Sequence, residues 1–178
     1  GAHVQQSGSL VSPERLRFDY THHSQIKVED ISLIEKIINK NIRDNNKLET
    51  SITSYDNAIE SGAIGLFGEK YDDDVRVVEI PSFSKELCGG THVNRTGDIG
   101  VFKIISETSL SAGVRRIEAL TGSACLEYLS DYYNKLKAIE FEFNCHKNDA
   151  LEVLSDMKKE NADFLKANES LIIKNQYT

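Results

Sequence analysis

Apolar residues recur at helical spacing between residues 30 and 45: Ile31, Ile34, Ile37, Ile38 and Ile42 line one face, and charged residues occupy the other. That stretch predicts an amphipathic helix packed on a sheet. From Leu48 to Tyr55 the period changes to two, with Leu48, Thr50, Ile52 and Ser54 alternating with Glu49, Ser51, Thr53 and Tyr55. This is the pattern of a strand with one buried face. Asp56 stands where it can cap a short helix that Gly62 ends. Val75–Ile80, Ile99–Ser106 and Gly113–Leu120 are rich in branched residues and bounded by glycine or aspartate, which predicts three strands, the first ended by Pro81. The contiguous carboxylates Asp72, Asp73 and Asp74 read as a solvated turn before a strand rather than as a cation site.

The pattern changes at Cys125. Cys125, Leu129, Tyr132, Leu136, Ile139 and Phe143 step by 4, 3, 4, 3, 4. After a break at Asn144 to Asn148, Leu154, Met157, Asn161, Phe164, Asn168 and Leu171 step by 3, 4, 3, 4, 3. Both are heptad seams, and two helices folded back on each other follow from them; a surface helix without a hairpin partner is the alternative. Asn161 and Asn168 would fix register in the seam by needing partners, at a cost in stability. Tyr128, Tyr132 and Tyr133 read as interhelical packing, with base stacking as the functional alternative. The predicted fold class is α+β: a mixed or antiparallel sheet with packed helices over residues 1–122, then a helical hairpin or coiled-coil spacer over 123–178.

Composition narrows the class. With 39% hydrophobic residues the chain can bury a core, and it contains no apolar run long enough for a membrane span. Its N-terminus lacks signal-peptide character and its three cysteines do not form a disulfide framework, so a reducing, cytoplasmic setting is expected. A net charge of -7 argues against broad nonspecific binding to nucleic acid, and any RNA contact must be local.

Candidate chemistry centres on Cys88-Gly89-Gly90-Thr91-His92, a thiol and an imidazole four residues apart around two glycines. Adjacent glycines disfavour a helix, so the segment is expected to be a tight turn that brings both side chains toward one point. That is half of a zinc site, since zinc takes four ligands, or three and an open position. No second pair is evident: His22 and His23 are adjacent and would point apart in a strand, while His3, Cys125 and Cys145 stand alone and Cys145 with His146 is too close a pair to chelate. A buried thiol beside a loop histidine is the plainer reading. Arg115 and Arg116 alternate in a strand, so one faces a pocket and the other faces solvent or a carboxylate such as Glu118.

The surrounding blocks carry a resemblance. His3-Val4-Gln5-Gln6-Ser7-Gly8-Ser9, Leu16-Arg17-Phe18-Asp19, Leu66-Phe67-Gly68-Glu69-Lys70-Tyr71, Cys88 to Gly100, and Ala112-Gly113-Val114-Arg115-Arg116-Ile117-Glu118-Ala119 occur in this order. Together they closely resemble the editing domain of alanyl-tRNA synthetases, from about Gly1 to Leu129. The related threonyl domain matches Thr96 to Gly100 and Gly113 to Ala119 less well.

The resemblance implies hydrolysis of seryl or glycyl esters wrongly attached to the alanine tRNA. It implies four zinc ligands, an H-x-x-x-H pair on a helix and then Cys88 and His92. Only the latter two are present, so the chain is expected to be a fragment with an incomplete zinc site, weak or absent zinc binding and doubtful activity. It further implies Gln6 in a loop near the scissile ester, Arg115 as a cationic donor to substrate or tRNA, and Thr91 as a hydroxyl beside the metal ligands or a cap of its own turn. ATP and magnesium would belong to an aminoacylation core outside this chain, and the helical tail would lead toward a further C-terminal domain. The expected partners are the alanine tRNA and its mischarged forms, without a membrane, and the chain is expected to be monomeric. A free-standing trans-editing deacylase and a noncatalytic tRNA-binding module are the alternatives.

Overall fold

The computed structural model describes residues 3–65, 71–145 and 149–176. The resemblance block Leu66 to Lys70 and the residue His146 lie outside the described residues. Contacts divide the chain into two units, Gly1–Glu127 and Tyr128–Thr178.

The first unit holds two antiparallel sheets. Strands β1 (Gln6–Val11), β2 (Leu16–Thr21), β6 (Phe102–Ser111) and β7 (Val114–Thr121) form a four-stranded sheet in the order β1-β2-β7-β6. Strands β3 (Glu49–Ser54), β4 (Asp74–Ile80) and β5 (Ser84–Leu87) form the second sheet in that order. Helix α1 (Val28–Asp44) lies against the larger sheet, packing Ile31, Ile34, Ile38 and Ile42 on Leu16, Phe102, Ile104, Ile117 and Ala119. The predicted helix is realised, and so is its apolar face except at Ile37, which is exposed. Two polar residues of α1 then close the edge of β6. The Asn39 amide accepts from the Phe102 N–H at 2.9 Å and donates to the Phe102 carbonyl at 2.8 Å. The Glu35 carboxylate accepts from the Ile104 N–H at 2.8 Å and pairs with Lys103 at 2.8 Å. A sheet edge whose ladder groups are taken by helix side chains cannot recruit another strand there.

The smaller sheet carries helix α2 (Tyr55–Glu60) and a core of Ala58, Ala63, Val75, Val77 and Leu87. Here the sequence reading needs two corrections. The α2 cap is Ser54, whose hydroxyl accepts from the Asn57 N–H, and not Asp56, which lies inside the first turn. Strand β3 has no buried apolar face: Ile52 is 76% exposed, because β3 is an edge strand and its alternation is not matched by a covering layer. Gly62 ends the segment as expected, at φ +87°, a conformation that glycine adopts without strain. Strand β6 starts at Phe102 rather than Ile99, since Thr96–Ile99 form a 3-10 helix. Strands β1, β2 and β5 occur where the pattern had shown none, and Gln6 therefore belongs to a strand, not a loop.

In the second unit the two predicted helical segments are helical, as α3 (Gly122–Glu142, which begins in the first unit) and α4 (Ala150–Gln176). Their seam residues are not buried against each other: Leu129, Tyr132, Leu154, Met157, Phe164 and Leu171 are all exposed. Tyr128 and Tyr132 meet along their own helix at 4.7 Å between ring centroids, and Lys135 and Lys137 sit over Tyr132 and Tyr133. Tyr132 and Tyr133 thus have ring contacts along α3 itself. Among the described residues no helix is long and apolar enough to cross a membrane.

Candidate functional site

Cys88 is placed by the β4–β5 hairpin. Its N–H donates to the Arg76 carbonyl at 3.1 Å, extending the pairing one residue past the end of β5. The Arg76 guanidinium returns across the loop and donates from one nitrogen to the carbonyls of Cys88 and Gly90. The far end of the loop is tied to the end of α1. Arg95 donates to the Asn45 carbonyl at 2.7 Å, and the buried Thr96 hydroxyl donates to the Asn41 carbonyl at 2.7 Å while accepting from the Asn46 N–H. Gly97 packs closely here: a Cβ would stand 2.5 Å from the Asn45 side-chain oxygen, which would have to move. Between these anchors Cys88 is half-buried and Thr91 and His92 are exposed. The segment is an irregular loop, and neither Thr91 nor His92 makes a side-chain hydrogen bond among the described residues, so Thr91 does not cap its own turn.

Thiol and imidazole are donors of the kind that zinc takes, so Cys88 and His92 fit the metal in type. They do not fit it in number: among the described residues no three His, Cys, Asp or Glu groups gather into a metal-holding cluster. All three cysteines are free. His22 and His23 do not point apart, because β2 ends at Thr21 and the chain bends there. Both rings stack on His3, with His3 Nε2 lying 2.9 Å from His22 Nδ1.

Gln6 and the strand leading to Cys88 meet in one cleft of about 370 Å³, lined by Val4, Gln5, Gln6, Phe18, Ile64, Gly65, Glu86 and Leu87. The Gln6 amide donates to the Ser9 hydroxyl at 3.1 Å, and its carbonyl oxygen is left to the cleft. A larger chamber of about 580 Å³ under α1 is walled by isoleucine and aromatic side chains and offers no convergent polar groups.

Arg115 lies outside the cleft. It donates from Nε and Nη2 to both oxygens of Glu107, which is 2% exposed, and Tyr20 donates its hydroxyl to the same carboxylate at 2.9 Å. The Arg115 hydrogen bonds hold the Glu107 carboxyl below its usual range, with Tyr20 and the Ile26 N–H adding to the effect against the cost of burial. Burial, then the Glu107 carboxylate, pushes the Tyr20 hydroxyl well above its ordinary value. Arg116 does face a carboxylate, but it is Asp19 directly across on β2, at 2.7 and 2.8 Å, and not Glu118. Glu118 is taken by Arg15 and Ser106. Cross-strand partners precede intrastrand ones here, because directly paired residues lie closer than residues two apart along one strand.

One cleft residue had escaped the sequence reading. Glu86 stands two positions before Cys88, on β5, a strand that the apolar pattern had not shown, and only the pairing of β5 with β4 brings it to the cleft.

The chain is similar in sequence to known proteins. Residues 75–118 match the family described as the threonyl and alanyl tRNA synthetase second additional domain. The alanine--tRNA ligase of Shewanella loihica is 49% identical over 158 residues, covering 89% of this chain and 18% of that protein. That of Rickettsia rickettsii is 46% identical over 173 residues, covering 97% and 20%, and that of Fervidobacterium nodosum 54% over 142 residues, covering 78% and 16%. The chain thus spans about a fifth of the length of the curated relatives it matches.

Proposed function

Because this chain is homologous to alanine--tRNA ligases over most of its length, we propose that it forms part of an editing centre that hydrolyses seryl or glycyl esters mischarged on the alanine tRNA. The observation that carries the reading is the cleft in which Gln6 and the strand leading to Cys88 converge. An aminoacyl ester needs a positioned water, donors facing the carbonyl oxygen and a hold on the terminal nucleotide. The Gln6 amide supplies a neutral hydrogen-bonding group at the cleft wall, and the Cys88–His92 loop, held by Arg76, follows directly from the lining residues Glu86 and Leu87. Cys88 and His92 would give zinc two of its ligands, a metal that polarises a carbonyl or activates water when its set is complete. Arg115 acts on this site through the sheet it stabilises, since two of its donors are already bound to Glu107. The setting that goes with this reading is the cytoplasm, where the parent enzyme would use ATP and magnesium in its aminoacylation core.

The test is deacylation of seryl-tRNA by this chain and by a polypeptide extended to include the H-x-x-x-H helix that the resemblance places upstream. The extended polypeptide is expected to hydrolyse the ester and to lose that activity on Cys88→Ser, while this chain stays at the spontaneous rate. An extended polypeptide that binds the tRNA but never accelerates hydrolysis would instead identify a binding module.

A further inference from the structure

We propose that Glu86 is the cleft's receptor for a substrate ammonium group, the protonated α-amine of the aminoacyl ester; the proposal rests on the editing reading above. Acids of the two sheets and of α1 are engaged elsewhere. Glu107 is bound by Arg115 and Tyr20, Asp19 by Arg116, Glu118 by Arg15, Glu79 by Lys85 and Glu35 by Lys103. Glu86 lines the cleft, is exposed, and among the described residues makes neither an ion pair nor a side-chain hydrogen bond.

The described cleft wall contains no lysine or arginine, so it repels phosphate and favours a cation. Its other polar side chains are the amides of Gln5 and Gln6, which serve an ester or hydroxyl but do not distinguish a charged amine from a neutral one. A cleft of about 370 Å³ accepts an amino acid joined to a ribose and is too small for a folded partner. The strand direction completes the geometry. Glu86 and Leu87, the last residues of β5, line the cleft and Cys88 follows them directly in the chain, so an amine held at Glu86 is bound two residues along the chain from the thiol. Glu86 would thus select esters of free amino acids over N-blocked ones and fix their orientation.

The experiment titrates this chain with 3′-deoxy-3′-(L-serylamino)adenosine and with its N-acetyl derivative, followed by NMR at about pH 6.5, where an α-amine is protonated. The wild-type chain is expected to prefer the free amine at least about tenfold, and Glu86→Gln to bind the two probes alike. Gln6→Ala should weaken both probes together and keep the preference. A wild-type chain that binds both equally, or neither, overturns the proposal, as does a preference that survives Glu86→Gln. Hydrolysis is read separately: an extended polypeptide that deacylates seryl-tRNA without this preference removes the role of Glu86 alone, and a preference without hydrolysis keeps Glu86 and removes the hydrolytic reading.

Discussion

The four-stranded sheet and the edge of the smaller sheet treat charge in opposite ways. On the first, Arg115, Arg116 and Arg15 each close on a carboxylate, and the paired acids Glu107 and Asp19 are nearly buried. On the second, Cys88 and His92 stand on a loop that Arg76 holds by the Cys88 and Gly90 carbonyls, and Glu86 faces a cleft whose described wall has no lysine or arginine. The contrast teaches that charged residues prominent in a motif can be consumed by architecture, while reactive positions are those the fold leaves unmatched. Even neighbouring motifs divide this way. Residues 95–98 tie themselves to the end of α1 through Asn45, Asn41 and Asn46, whereas residues 89–92 make no side-chain bond.

The sharpest way to break the comparison is to remove Arg115. A bidentate pair with both partners largely buried loses about 3–5 kcal/mol when one partner is deleted, because the other charge is left stranded. Arg115→Ala should therefore lower the urea-unfolding free energy by that order, and Arg116→Ala, whose arginine is more exposed, by less. Equal losses under 0.5 kcal/mol, well below that order, would show that the ladder is not structural. Acid should act on the same groups. Glu107 and Asp19 have folded-state values depressed by Arg115 and Arg116, so their contribution is complete above the ordinary carboxylate range and is lost as pH falls through the depressed values. Stability should fall on acidification below about pH 4.5, and Glu107→Gln should flatten that fall.

What the sequence made legible follows the same division. Helix α1, β4 and β7 were readable because each buries its own apolar period: Ile42, Val75 with Val77, and Ala119 are core residues. Strands β1 and β5, Gln-Ser-Gly-Ser-Leu-Val and Ser-Lys-Glu-Leu, carry no such period and become strands through the neighbours that pair with them. The partner of Arg116 was unreadable for a related reason, since Asp19 is 97 residues distant in sequence and adjacent only by register. Cys88 and His92 were visible by residue type, but the cleft joining Gln6 to Glu86 depends on how the two sheets meet and leaves no local pattern.

Arg76 sharpens the comparison at intermediate size. Its hydrogen bonds to the Cys88 and Gly90 carbonyls hold the loop from below, and bonds to a charged donor are each worth roughly 1.5–3 kcal/mol before solvent compensates. Arg76→Ala should cost about 1–2 kcal/mol in global stability, less than Arg115→Ala. It should also speed alkylation of Cys88 by iodoacetamide, measured by mass spectrometry against the fully buried Cys125 as an internal control. Unchanged alkylation would mean that the hairpin alone positions the thiol.

The smallest expected effect is at the motif itself. His92 is exposed and unbonded and Cys88 is held through its backbone, so His92→Ala and Cys88→Ser should each change the unfolding free energy by no more than about 0.5 kcal/mol. A structural zinc site would behave otherwise, since metal binding adds directly to folding free energy and removing a ligand forfeits it. Two donors compete poorly with buffer for the ion, so after dialysis against a weak chelator the chain should hold well under stoichiometric zinc by elemental analysis. Stoichiometric zinc, together with a large stability loss in both variants, would show that the loop is as closed as the arginine ladder and that the contrast between the two sheets is wrong. Near-neutral variants and little bound metal would place Cys88 and His92 among residues kept for chemistry that the fold itself does not need.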